Sequence, residues 1–140
     1  MFALHRYYLT ASVARTTFMQ FLDEHPEGPF ANESLLFPEF MAHMSVWYST
    51  LYVAFEGWNG LHIANPILDA AWDNPLRSTF KEYRNATVHF TRHYMDRRMT
   101  EFIAHPDAVG YSHHVHYQLG QAILAELDRL SVEPISRVIS

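Results

Sequence analysis

The sequence predicts an all-α fold, an antiparallel bundle of four main helices with one or two short ones, and three observations predict it. Apolar and aromatic residues recur at steps of three and four along most of the 140 residues. The strongest helix breakers, His25-Pro26-Glu27-Gly28-Pro29, Asn65-Pro66, Asn74-Pro75 and His105-Pro106, fall between those periodic runs. No run reads as a strand.

The elements follow in order. Leu4, Tyr8, Ala11, Phe18, Phe21 and Leu22 place a first helix over residues 2–24, ended by the proline-glycine cluster. A loop runs to about Asn32. Asn32 or Ser34 is an N-cap for a second helix, whose stripe Leu36, Phe40, Met44, Trp47, Leu51, Phe55 and Trp58 is the longest in the chain and ends between Gly57 and Gly60. Asn65-Pro66 opens a short helix to about Trp72, a cap followed by proline in the first turn. Asn74-Pro75 repeats that signal and starts a helix with Leu76, Phe80, Tyr83, Thr87, Phe90 and Tyr94 on one stripe. This helix runs to about Arg92 and bends, or continues towards Ala104, because Met95, Met99, Phe102 and Ile103 keep a helical period. Asp107 can cap a last helix with Val109, Val115 or His116, Leu119, Ile123, Leu127 and Leu130 on its inner face, and residues 132–140 read as a tail.

With 49% hydrophobic residues and no room for a second domain, residues 1–140 make one domain with a sizeable core. The absence of cysteine excludes a disulfide framework and a thiolate metal site and fits a reducing compartment, so a cytoplasmic location is expected. No stretch is apolar enough to span a membrane, and the N-terminus lacks the apolar core of a signal peptide. The net charge of −5 argues against nonspecific nucleic-acid binding over the whole surface. Residues 77–98 are an exception: six bases (Arg77, Lys81, Arg84, Arg92, Arg97, Arg98) against Glu82 and Asp96 make them +4, and the rest of the chain −9.

That basic stretch carries the most distinctive polar residues, with Asn85, His89, Arg92, His93 and Asp96 away from the apolar stripe. An arginine, a polar residue after it and a histidine five positions beyond the arginine, here Arg84, Asn85 and His89, resembles the motif of the HEPN family of small helical domains. Phe55-Glu56-Gly57-Trp58 upstream, and Phe90, Tyr94 and Asp96 after the histidine, are similar to family members as well. The resemblance implies a HEPN-like bundle acting as a homodimer, in which the arginine and histidine are the catalytic pair of a ribonuclease and two motifs line one cleft. By that resemblance Arg84, Asn85 and His89 are the catalytic candidates. Lys81, Arg92 and His93 are candidates for holding RNA. The family's partners include antitoxin-like proteins, often of nucleotidyltransferase type, and its defence-system ribonucleases are a further expectation. Nothing in this chain chooses among these.

The chemistry agrees with the residue types. RNA cleavage without a metal needs a base for the 2′-hydroxyl proton, an acid for the leaving 5′-oxygen and positive charge on the phosphoryl oxygens. Imidazole and guanidinium supply all three, so neither a cofactor nor a metal is expected. In one regular helix Arg84 lies about 140° from His89, so arginine's reach or a second copy of the motif must bring the two functions together. Glu56 on the second helix can pair with Arg84. Two other readings stay open. In one, Arg84 and His89 are interface residues of an inactive HEPN-like interaction module. In the other, His89 and His93 at i and i+4, with His113, His114 and His116, hold a metal, although neither His-Glu-x-x-His nor Glu-x-x-His is present. Tyr7, Tyr8, Trp47, Tyr48, Tyr52, Trp58 and Trp72 can stack on a flat ligand, but at helical spacing they read first as core.

Overall fold

The second helix predicted from the sequence is the element on which the others pack. In the computed structural model, which describes residues 1–28, 36–89 and 92–132, α2 (Leu36–Gly60) buries Trp47, Tyr48, Leu51, Tyr52, Phe55 and Trp58 along one broad stripe. α1 (Phe2–Glu24) packs along it through Leu4, Ala11, Phe18 and Phe21, within the limits read from the sequence. α3 (Pro66–Asp73), α4 (Leu76–Val88), α5 (Arg97–Ile103) and α6 (Ala108–Val132) complete six helices among the described residues, and no strand occurs there. None of these helices is long and apolar enough to cross a membrane. The Asn32 and Ser34 caps, Phe90, and the tail beyond Val132 lie outside the described residues.

The two asparagine-proline signals behave as their chemistry dictates. Asn65 Oδ1 accepts from the amides of Ile67 and Leu68, both at 3.1 Å, satisfying donors that the first turn of α3 leaves open. Asn74 Oδ1 accepts from Leu76 N at 2.9 Å, while Pro75 adopts helical backbone and leads into α4. Between α2 and α3 the chain turns at His62, in the left-handed region with φ 53°, and its amide donates to the Asn59 carbonyl.

α4 and α5 do not form one helix. The helix ends at Val88 and the chain bends back, so the continuous helix towards Ala104 is not realised and the bend falls about a turn before Arg92. A straight helix would carry Phe102 about 33 Å from Phe80 at 1.5 Å per residue. Instead their rings stack at 4.8 Å with planes 10° apart, and both side chains are fully buried. Burial of Phe102 and Met99 outweighs local helix continuity. Asp96 makes the break possible: its Oδ1 accepts from Arg98 N at 2.9 Å and caps α5. Tyr94, expected on the core stripe, is therefore 61% exposed.

α6 keeps its expected phase through Val115, His116, Leu119 and Ile123 and departs from it only at its ends. Ala108, Tyr111, Ser112, Val115, His116, Leu119, Ala122 and Ile123 face inwards, whereas Val109 is exposed. The phase is pinned where Tyr111 Oη donates to the Ala71 carbonyl at 2.8 Å, a bond to α3 that pairs both groups inside the protein. Leu127 is half-buried, and Leu130, expected on the inner face, is exposed. Gly120 has a packing reason: a Cβ there would collide with the hydroxyl end of Tyr8, which reaches from α1 to the surface of α6.

Candidate functional site

The motif is placed by its apolar neighbours. Leu76, Phe80, Tyr83 and Ala86 turn one face of α4 into the core, which leaves Arg84 and Asn85 on its shoulders and Lys81 exposed. On α2, burial of Phe55 and Trp58 directs Glu56 outwards next to α4. Arg84 Nη2 lies 3.3 Å from Glu56 Oε2, and the guanidinium carbon lies 5.4 Å from the centre of the Tyr52 ring. Tyr52 and Glu56 are one turn apart on α2, so a ring and a carboxylate hold the same arginine. Glu56 is exposed, not buried, although it does pair with Arg84 as expected. The Arg84 side chain is only 20% exposed, and its Nε is buried with no hydrogen-bond partner among the described residues. Ser45 with Tyr83 Oη at 2.8 Å and Ser49 with Thr87 Oγ1 at 2.5 Å tie α4 further to α2.

His89 ends the helix. Its backbone is extended, with φ −108° and ψ 135°, and its amide donates to the Asn85 carbonyl at 3.2 Å. The side chain is exposed, and no hydrogen bond joins it to Arg84 among the described residues. The 140° separation of Arg84 and His89 on a regular helix therefore does not describe His89, because the helix stops at Val88. Arg92 and His93 are exposed in the bend between α4 and α5. The Asp96 carboxyl that follows is pushed down to about 2, first by the side-chain and backbone hydrogen bonds of Arg98, with His93 a smaller contribution. Arg84, Asn85 and Lys81 share α4 with His89 at its end; Arg92 and His93 belong to the segment beyond.

The metal reading loses its helical pair, since His89 lies past the end of α4 and His93 in a bend. No group of three or more His, Cys, Asp or Glu side chains able to hold an ion occurs among the described residues. The histidines of α6 have other partners. Trp47 Nε1 donates to His116 Nδ1 at 3.0 Å, and His116 Nε2 lies 3.3 Å from Ser12 Oγ. Indole N–H can only donate, so Nδ1 is the acceptor and the ring is neutral with its proton on Nε2. That tautomer gives a proton to Ser12 and cannot take one, so this pair is no nucleophile and base. Arg15 reaches His113 Nδ1 at 3.4 Å and lies over the Trp47 ring.

Sequence reasoning placed His116 only as an alternative inward position and missed this junction of α1, α2 and α6. Its partners are 104 and 69 residues away, with no local signal in the chain. Burial, then the charges of Arg15 and His113, push the His116 imidazole down to about 4. An unfolded chain binds that proton near pH 6.5, whereas the folded one refuses it until about 4. Stability is therefore full above about pH 6.5 and is lost as pH falls from there towards about 4, by up to about 3 kcal/mol. Denaturant midpoints measured across that range should fall with acidification in the wild type, and the slope should be shallower in His116→Gln.

The described residues make a six-helix protein whose α4 end sets a restrained arginine near an exposed histidine in a basic segment. No family model, curated protein or solved structure matches the chain.

Proposed function

We propose that this chain is a HEPN-like cytoplasmic protein, its four main helices arranged as the antiparallel bundle of that family, and that as a homodimer it cleaves RNA without a metal. The cleft lies where two copies of the α4 end face one another. Arg84, Asn85 and His89 do the chemistry, and Lys81, Arg92 and His93 hold the RNA backbone. The observation that carries this reading is the fixing of Arg84: Glu56 and the Tyr52 ring restrain its guanidinium, so it meets a phosphate with little entropy left to lose. The exposed His89 is free to exchange protons with a substrate.

In the reaction one His89 takes the 2′-hydroxyl proton, the 2′-oxygen attacks phosphorus, and the bond to the 5′-oxygen breaks. The departing oxygen takes a proton from the His89 of the second copy. The products are a 2′,3′-cyclic phosphate and a 5′-hydroxyl, with atoms and charge balanced. Arg84 neutralises charge on the phosphoryl oxygens and Asn85 orients the histidine. An antitoxin-like partner would act by covering the same face.

A second reading is favoured by the same arginine. With Nε buried, Nη2 on Glu56 and no bond to His89, Arg84 also suits an inactive HEPN-like dimer that serves as an interaction module. Purified protein incubated with mixed RNA and EDTA separates the two. Cleavage that survives the chelator, leaves cyclic phosphate ends and is absent from Arg84→Ala supports the enzyme. Equal cleavage by wild type and variant means a contaminant and leaves the module.

A further inference from the structure

α1 carries an unusual outward face. Arg6, Thr10, Val13, Thr17, Gln20 and Glu24 are all exposed and fall within about 80° of one another at 100° per residue. The threonines do not offer their hydroxyls. Thr10 Oγ1 donates to the Arg6 carbonyl at 3.0 Å and Thr17 Oγ1 to the Val13 carbonyl at 3.1 Å, so both are satisfied within their own helix. Beside this stripe a groove of about 510 Å³ opens between α1 and α2, lined by Leu9, Ala14, His43 and Val46. Val13, Val46 and Leu9 are 67%, 55% and 48% exposed there, a concentration of apolar surface on an acidic protein. Arg15, the one charge between Arg6 and Asp23, lies on the opposite side of α1 against Trp47 and His113.

The ends of the stripe carry opposite charges. Arg6 stands at one and Glu24 at the other, and neither takes part in an ion pair among the described residues. Their positions mirror about residue 15, as do Thr10 with Gln20 and Val13 with Thr17. A second α1 laid antiparallel across the first therefore sets Arg6 against Glu24 twice and each Val13 against the partner's Thr17, at the edge of the groove. We infer that a second copy of this chain docks on the α1 face, α1 against α1 about a two-fold axis near residue 15. An unrelated amphipathic helix would have no need of this mirrored charge; an isologous interface requires self-complementarity. The surface goes beyond the site proposed above. α2 carries α1 as well as α4, and none of the motif residues belongs to the stripe, so both faces can be occupied in one assembly.

Light scattering on the full chain at micromolar concentration tests this. Wild type is expected to be oligomeric, and Val13→Glu to lower the mass by about half with an unchanged circular dichroism spectrum. Arg6→Glu, which sets like charges together at both ends, is expected to weaken association about tenfold, and adding Glu24→Arg to restore it. A monomeric wild type, an unchanged mass in a folded Val13→Glu, or a charge swap that fails to restore association would overturn the inference. Should Val13→Glu not fold, the swap at two exposed positions decides. RNA cleavage in the same preparations is a separate readout: its absence counts against the enzyme and leaves this interface standing, and cleavage retained without the mass change does the reverse.

Discussion

Replacing His89 by alanine is expected to lower RNA cleavage by roughly 10²- to 10⁴-fold, the usual contribution of a positioned proton-transfer group, while leaving the melting temperature unchanged. The separation follows from its position. His89 is exposed, sits past the last turn of α4 and makes no side-chain bond to Arg84 among the described residues, so the core does not depend on its imidazole. Arg84→Ala should behave differently, losing cleavage and also some stability, because that side chain covers Tyr52 and pairs with Glu56. Asn85→Ala should give an intermediate loss of rate. If His89 instead serves an interface, His89→Ala will weaken association and wild type will cleave no faster than Arg84→Ala. That pattern would remove the enzyme and keep the interaction module.

The largest loss of stability is expected from Phe80→Ala, about 3–5 kcal/mol, read as a drop in the denaturant midpoint with little change in slope. Phe80 is fully buried, stacks on Phe102 at 4.8 Å and receives the edges of Tyr48, Tyr52 and Tyr111 at 5.8, 5.3 and 6.1 Å. Four helices thus meet on one ring, and the cavity left by alanine cannot close by moving any one of them. Phe80→Leu should cost much less, since it keeps most of the volume. A loss below about 1 kcal/mol for the alanine variant would mean that α5 does not pack on α4 as described.

Local rules account for much of the fold. The limits of α1, the end of α2, the asparagine caps before α3 and α4, and the burial of Trp47, Leu51, Phe55 and Trp58 were readable because spacing and cap chemistry act within a few residues. The candidate site was readable in part. The pairing of Glu56 with Arg84 could be anticipated from two neighbouring helices, but the Tyr52 ring beneath the guanidinium could not, because Tyr52 also fits the core stripe.

What the sequence determined by itself is the all-helical character, the basic segment at residues 77–98 and the set of polar residues at the end of α4. Only the tertiary structure decided where that segment breaks, what Tyr111 bonds to and what surrounds His116. Helical periodicity continues through Met95, Met99 and Phe102, so local propensity gives no reason to stop at Val88. The reason is long-range: Phe102 gains burial against Phe80 only if the chain turns back. The Tyr111 bond to Ala71 and the Trp47 bond to His116 likewise join residues 40 and 69 apart. A buried polar group must find a partner wherever the fold supplies one, and no pattern within a single helix reveals which partner that will be.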